Sequence, residues 1–196
     1  MISIIDYGAG NLSSVVKAIQ HLGVECLVTS RAEDVSRSDR LIIPGVGNFK
    51  ATSPLMNGNL GSTLRDAIAQ GKPVLGICLG LQWMFRGSEE APELRGLAIF
   101  GGTCSRFPAN VKSPHVGWNR IDVETRSRLL NGVAPRSYVY FTHSYRAPVC
   151  DDTVATCAYA GPFTAAAERG NVFGVQFHPE KSGDVGLRIL ENFCGL

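Results

Sequence analysis

The sequence has no long apolar run, no block of like charge and only four histidines, and each shortage removes a class of function. Lys and Arg number 19 against 17 Asp and Glu, a net charge of +2 over 196 residues. The basic residues are scattered, so the chain lacks the electrostatic footprint of a nucleic-acid binder. No apolar stretch approaches the ~18 residues that cross a bilayer. The opening residues, MISIIDYG, have neither a basic leader nor a long apolar centre. That argues against a signal peptide and for a cytoplasmic protein. The six cysteines are Cys26, Cys78, Cys104, Cys150, Cys157 and Cys194. None form a C-x-x-C pair, and no histidine stands at zinc-finger spacing, so no metal site is expected. Nothing calls for a cofactor. Five of the cysteines read as small buried hydrophobes; Cys78 does not.

What is present is a globular balance, 44% hydrophobic and 18% charged, in a chain long enough for one core. A single domain over 1–196 is the expectation. Strand and helix signals alternate through the first half. ISIID (2–6), VECLVT (24–29), RLII (40–43) and PVLGI (73–77) read as strands. NLSSVVKAIQHLG (11–23), LGSTLRDAIAQG (60–71) and LGLQWMF (79–85) read as helices, two of them closing on glycine. Apolar strands alternating with helices predict a parallel sheet covered on both faces. The second half is richer in strand signals: LAIF, HVGWNRIDV, SYVYFTHSY, TVATCAYA, FTAAAE and NVFGVQF, before a last helix over 184–193. The prediction is an α/β, doubly wound, mostly parallel sheet with an antiparallel extension.

Cys78 stands between two glycines in Gly76-Ile77-Cys78-Leu79-Gly80. This is the nucleophile-elbow pattern with Cys in place of Ser: a tight strand-to-helix turn that lifts the nucleophile above the sheet. The glycines avoid side-chain collisions there. The helix N-terminus favours a thiolate, and the Leu79 amide would point at a developing oxyanion. A buried cysteine in a Gly-rich turn fits the same residues.

A nucleophile needs a base. His21 lies late in an amphipathic helix, while His115 and His143 sit by or within strands and fit structural roles. His178 ends an apolar strand and begins His178-Pro179-Glu180. Pro179 holds the preceding residue extended, so His178 and Glu180 face one side. Glu180 could then fix the imidazole tautomer and support its charge, as a triad carboxylate does. A surface turn explains H-P-E alone; beside an elbow cysteine the two form nucleophile, base and orienter. PGVG (44–47) also ends a strand, where ligands of open α/β sheets bind.

Together PGVGNF, GICLGLQ and GVQFHPE resemble the oxyanion, nucleophile and His-Glu motifs of the triad-type (class I) glutamine amidotransferases. DYGAGNLSSV, PHVGWNRI (114–121), YFTHSYRA (140–147) and FHPEKSGDVGLRILENF (177–193) are similar to the branch serving imidazole glycerol phosphate synthase in histidine biosynthesis, with Val116 where Met is usual. The resemblance implies a flavodoxin-like fold and glutamine as substrate. It implies a Cys78-His178-Glu180 triad, with the amides of Leu79 and of Val46 or Gly47 holding the oxyanion. The PGVG peptide would reorient before its amide points inward, keeping activity low until a partner signals. Gln82, Ser144 and Tyr145 match glutamine-contact positions. Asn11, Trp118, Tyr140 and Lys181 match positions at or near the interface with a (β/α)₈-barrel cyclase that receives the ammonia. A helix cap, a core aromatic, a strand aromatic and a solvated lysine are the respective plainer readings.

Three other functions stay open on the sequence. Asp6-Tyr7-Gly8-Ala9-Gly10-Asn11 follows a strand and opens a helix like a dinucleotide fingerprint, but Ser13 stands at the third glycine. A paralogous glutaminase serving a surface-sugar amidotransferase would keep the same triad. A silent interaction subunit would have less reason to keep Cys78, His178 and Glu180 intact.

Overall fold

Strands with near-continuous apolar runs must be covered on both sides, and Ile2–Ile5 and Val74–Cys78 are buried throughout. The computed structural model describes all 196 residues. Its strands are β1 (Ile2–Ile5), β2 (Cys26–Thr29), β3 (Arg40–Gly45), β4 (Val74–Cys78), β5 (Ser105–Arg106), β6 (His115–Arg120), β7 (Asp122–Val123), β8 (Tyr138–His143), β9 (Tyr145–Arg146), β10 (Thr153–Ala158), β11 (Pro162–Arg169) and β12 (Val172–Val175). Its helices are α1 (Leu12–His21), α2 (Ala32–Arg37), α3 (Ser53–Met56), α4 (Gly58–Ala69), α5 (Leu79–Met84) and α6 (Gly183–Cys194). No helix is long and apolar enough to cross a membrane.

Eight strands form the central sheet in the order β2-β1-β3-β4-β12-β11-β10-β7. The first five run parallel, and β11, β10 and β7 add an antiparallel wing. Strand side chains alternate between two cores, as the period of two requires. Ile2, Ile4, Ile42 and Ile77 pack with α1 and α6. Ile5, Leu41, Ile43 and Val74 pack with α2, α4 and α5. The fold is the expected α/β, mostly parallel sheet with its antiparallel extension. β6 and β8 form a separate antiparallel pair.

One expected strand is absent. LAIF (97–100) has no strand pairing. Its amides bond instead to the carbonyls ending α5: Leu97 to Trp83, Ala98 to Phe85, Ile99 and Phe100 to Met84, at 2.7–3.1 Å. The last carbonyls of a helix lack intrahelical partners, and this apolar segment supplies them. HVGWNRIDV and SYVYFTHSY each divide into two strands, so that β7 and β9 join different sheets from β6 and β8.

Helix α5 is buried at all six positions and lies close to the sheet. A Cβ on Gly80 would stand 1.9 Å from the Ile43 carbonyl oxygen, and one on Gly76 2.6 Å from the Gly80 backbone. We expect Gly80→Ala to cost at least ~3 kcal/mol, because backbone rather than a mobile side chain must move. Gly23, at φ +72° with open space around it, should cost only ~1 kcal/mol on change to Ala. Urea unfolding of both variants checks the contrast.

Candidate active site

Cys78 is the last residue of β4 and immediately precedes α5, with φ 53° and ψ −103°. A non-glycine residue at positive φ costs energy and persists only where its surroundings impose it. The imposition here is the close seat of α5. The β3–β4 register sets Gly45 beside Cys78, so Val46 and Gly47 continue just past the sulfur. On the other side β12 sets Val175 beside Ile77. Gln176 and His178 therefore emerge next to the cysteine. The parallel register alone assembles residues from three distant segments.

The His178 backbone is pinned: its amide donates to the Tyr140 carbonyl at 2.8 Å, and the Ser182 hydroxyl donates to its own carbonyl at 2.6 Å. His178 Nδ1–H donates to Glu180 Oε1 at 2.8 Å, and both side chains are only 2% exposed. Since the carboxylate can only accept, Nε2 is the atom left for chemistry. It is buried and makes no hydrogen bond. The Cys78 thiol lies 3.9 Å from the Thr142 carbonyl. Burial alone would lower the His178 pKa; the nearby Cys78 sulfur and the hydrogen-bonded Glu180 carboxylate outweigh it and raise the value to about 10. The ring is thus held ready to carry a proton.

The other histidines behave oppositely. His143 Nδ1 donates to the Tyr145 carbonyl at 2.8 Å, and its Nε2 meets His115 Nδ1 at 3.2 Å. Burial lowers His143 to about 3 and His115 to about 4. His21 is exposed in the last turn of α1. All six cysteines are free. Burial pushes the thiols of Cys26, Cys104, Cys157 and Cys194 up, away from the thiolate.

A cavity of about 280 Å³ opens over the sulfur. Gly47, Leu79, Gln82, Ser144 and Tyr145 line it with Cys78. Val46 is half-buried and not part of the lining. Gly47 has φ +107° and free space around it. Glu90, which no local sequence pattern singles out, also lines the cavity and accepts from the Phe49 amide through Oε2 at 2.7 Å. Gln176 has a weak signal of its own: a glutamine inside the apolar run VFGVQF is a buried polar group that needs partners. A larger open groove of about 1010 Å³ lies along residues 123–132 and the end of α6, and has neither Cys nor His in its lining.

Trp118, Tyr140 and Lys181 are neighbours on one face. The rings of Trp118 and Tyr140 meet edge-on at 6.1 Å, and Lys181 Nζ sits 5.9 Å from the centre of the Tyr140 ring. Trp118 is 55% exposed, which excludes the core-aromatic alternative. Asn11 stands before α1 without capping it; its amide donates to Ser14 Oγ at 2.9 Å, which excludes the helix-cap alternative. The Gly8–Gly10 turn, the candidate dinucleotide fingerprint, packs on the Pro44–Gly45 backbone through Gly10.

The neutral histidine pair generates a pH prediction. The folded pKa values lie below the unfolded 6.5, so the unfolded chain binds more protons between about pH 4 and 6.5. Stability should fall as pH drops through that window, by on the order of 3 kcal/mol at pH 4 for a shift of His143's size. Urea midpoints measured from pH 7 to 4 should decline less steeply for His143→Phe than for the wild type.

The family described as Glutamine amidotransferase class-I matches residues 3–195. Imidazole glycerol phosphate synthase subunit HisH of Bacillus cereus (strain B4264) is 44% identical over 198 residues, covering 100% of this chain and 95% of that protein. The HisH subunit of Rhodopirellula baltica is 45% identical over 199 residues, covering 99% and 97%. Among solved structures, one described as a glutamine amidotransferase superposes with TM-score 0.77 at 18% identity, covering 100% and 99% of the two chains. PurLQS from Thermotoga maritima does so with TM-score 0.74 at 17% identity, covering 99% and 97%. These two likenesses speak for the fold.

Proposed function

The chain belongs to the class-I glutamine amidotransferase family, among the glutamine amidotransferase subunits of imidazole glycerol phosphate synthase, and on that premise we propose that it releases ammonia from glutamine through Cys78, His178 and Glu180. The observation that carries this reading is the Cys78 elbow facing a buried His178 whose Nδ1 is tied to Glu180 at 2.8 Å. The whole of 1–196 acts as one glutaminase domain, a reading supported by the family match over 3–195.

Cys78 gives its proton to His178 Nε2, and the sulfur attacks the carboxamide carbon of glutamine. A C–S bond forms, and the carbonyl oxygen takes the negative charge. The Leu79 amide at the start of α5 receives it, with the amide of Val46 or Gly47 as second donor. Gly47 has the room and the glycine freedom for a peptide to swing into that role. His178 then passes its proton to the departing nitrogen, the C–N bond breaks and ammonia leaves a thioester. Water adds with its proton going to His178, the C–S bond breaks and glutamate is released. Gln82, Ser144 and Tyr145 contact the substrate from the cavity wall. Glu90 supplies a carboxylate for the α-ammonium group.

Ammonia lost to water would become mostly ammonium. We therefore assign a heterodimer with a (β/α)₈-barrel cyclase subunit that consumes ammonia as it forms imidazole glycerol phosphate, working in the cytoplasm. The exposed face of Trp118, Tyr140 and Lys181, with Asn11, is its docking region.

Glutamate release should be low for the chain alone and rise strongly with the cyclase and its ribonucleotide substrate. Turnover unaffected by the cyclase would redirect the chain to another synthase. Cys78→Ala should abolish turnover, and Glu180→Gln should lower kcat by roughly 10²–10⁴ through loss of the correct tautomer. Trp118→Ala should weaken cyclase binding by about 2 kcal/mol or more in calorimetry if it is an interface anchor.

A further inference from the structure

We propose that Gln176 is a further catalytic residue: its side-chain amide donates a hydrogen bond to Cys78 Sγ and stabilises the sulfur anion. This rests on the reading of Cys78 as nucleophile. Gln176 follows β12 and is completely buried. Its Nε2 lies 3.6 Å from Cys78 Sγ, and its Oε1 lies 3.1 Å from Gln82 Nε2.

Which end of a glutamine amide faces a neighbour is normally ambiguous, but the surrounding network decides it here. The Tyr145 carbonyl can only accept. Gln82 therefore turns Nε2 to it, at 2.8 Å. The second N–H of Gln82 goes to Gln176 Oε1. That leaves Gln176 Nε2 for the sulfur; the reversed amide would set N–H against N–H and aim a carbonyl oxygen at Sγ. The same Tyr145 carbonyl holds the proton of His143 on Nδ1. His143 Nε2 then accepts from His115 Nδ1, and His115 Nε2 accepts from Asn119 Nδ2 at 3.3 Å. Burial keeps both rings neutral. One backbone carbonyl thus sets the polarity of a chain running from β6 to the nucleophile, in which Gln82, His115 and His143 are positioning residues.

The donor does work that a structural amide would not. When Cys78 gives its proton to His178, the electron pair stays on sulfur, and N–H···S becomes a charge-assisted bond. When water opens the thioester, the C–S bond breaks and the pair returns to sulfur, again facing Gln176. The thioester sulfur in between is a weaker acceptor. Gln176 is not part of the cavity lining, so it does not contact glutamine directly.

Gln176→Met keeps the volume and removes the donor; Gln176→Glu keeps the shape and puts a carboxylate in its place. Both are measured as the full chain with the cyclase subunit. The expected result is a fall in kcat of roughly ten- to hundredfold, the worth of one hydrogen bond to a charged group. The KM for glutamine should stay within about twofold, since no ground-state contact is lost. Alkylation of Cys78 by iodoacetamide, read by mass spectrometry of its tryptic peptide, should slow in parallel. A folded Gln176→Met with wild-type kcat and alkylation rate overturns the proposal. Should neither variant fold, the wild type still decides. Its four glutamines are Gln20, Gln70, Gln82 and Gln176, and in ¹⁵N-glutamine-labelled protein the Gln176 side-chain amide, distinguished from that of Gln82 by its contacts in nuclear Overhauser spectra, should shift on Cys78 alkylation. An unmoved Gln176 amide overturns the proposal. Cys78→Ala separates the two readings: retained turnover there overturns the nucleophile itself, whereas an inactive Cys78→Ala beside an unimpaired Gln176→Met overturns only the role of Gln176.

Discussion

The seat of α5 on the sheet is the constraint from which the site follows. Gly76 and Gly80 remove the side chains that would hold the helix away, and Gly174 does the same on β12, where a Cβ would collide with Leu81. With α5 this close, the chain can pass from β4 into the helix only through an abrupt turn. Cys78 occupies that turn at φ 53°. The strain at one residue is offset by burial of a whole helix, Trp83 and Met84 included. Its consequence is a sulfur held above the ends of β3, β4 and β12, next to the first amides of α5.

Electrostatics then divides the histidines into two kinds. His178 has a carboxylate on one nitrogen and a thiol facing the other, and these partners overcome its burial. His115 and His143 have no acidic partner, so burial, aided at His143 by the positive charge of nearby His178 and Arg146, keeps them uncharged. Burial disfavours the charged ring at all three, and only at His178 do the partners outweigh it. The neutral pair suits a fixed hydrogen-bond chain, and His178, whose partners favour taking up a proton, suits proton transfer.

The β6–β8 pair faces both ways. Its inward side carries His115, Phe141 and His143 into the core, and its outward side presents Val116, Trp118 and Tyr138. The backbone carbonyl of Tyr140 in β8 also holds the His178 amide. The exposed face is therefore one strand away from His178.

Much of this was written in local sequence. Apolar strands alternating with helices specified a two-faced parallel sheet, because unalternating strands can be satisfied in no other way. Gly76 and Gly80 around Cys78 marked the elbow, and Pro179 marked an extended His178; but Pro179–Lys181 form a 3-10 turn, so a turn and not an extended run brings Glu180 back to the His178 ring. LAIF misled because its apolar residues cap α5, a role periodicity does not express. The exposure of Trp118, the entry of Glu90 into the cavity and the path from Tyr145 through Gln82 to Gln176 could be decided only by tertiary structure. They join residues 63 and 94 positions apart in sequence, and no local pattern records which buried amide will meet which carbonyl once the sheet has closed.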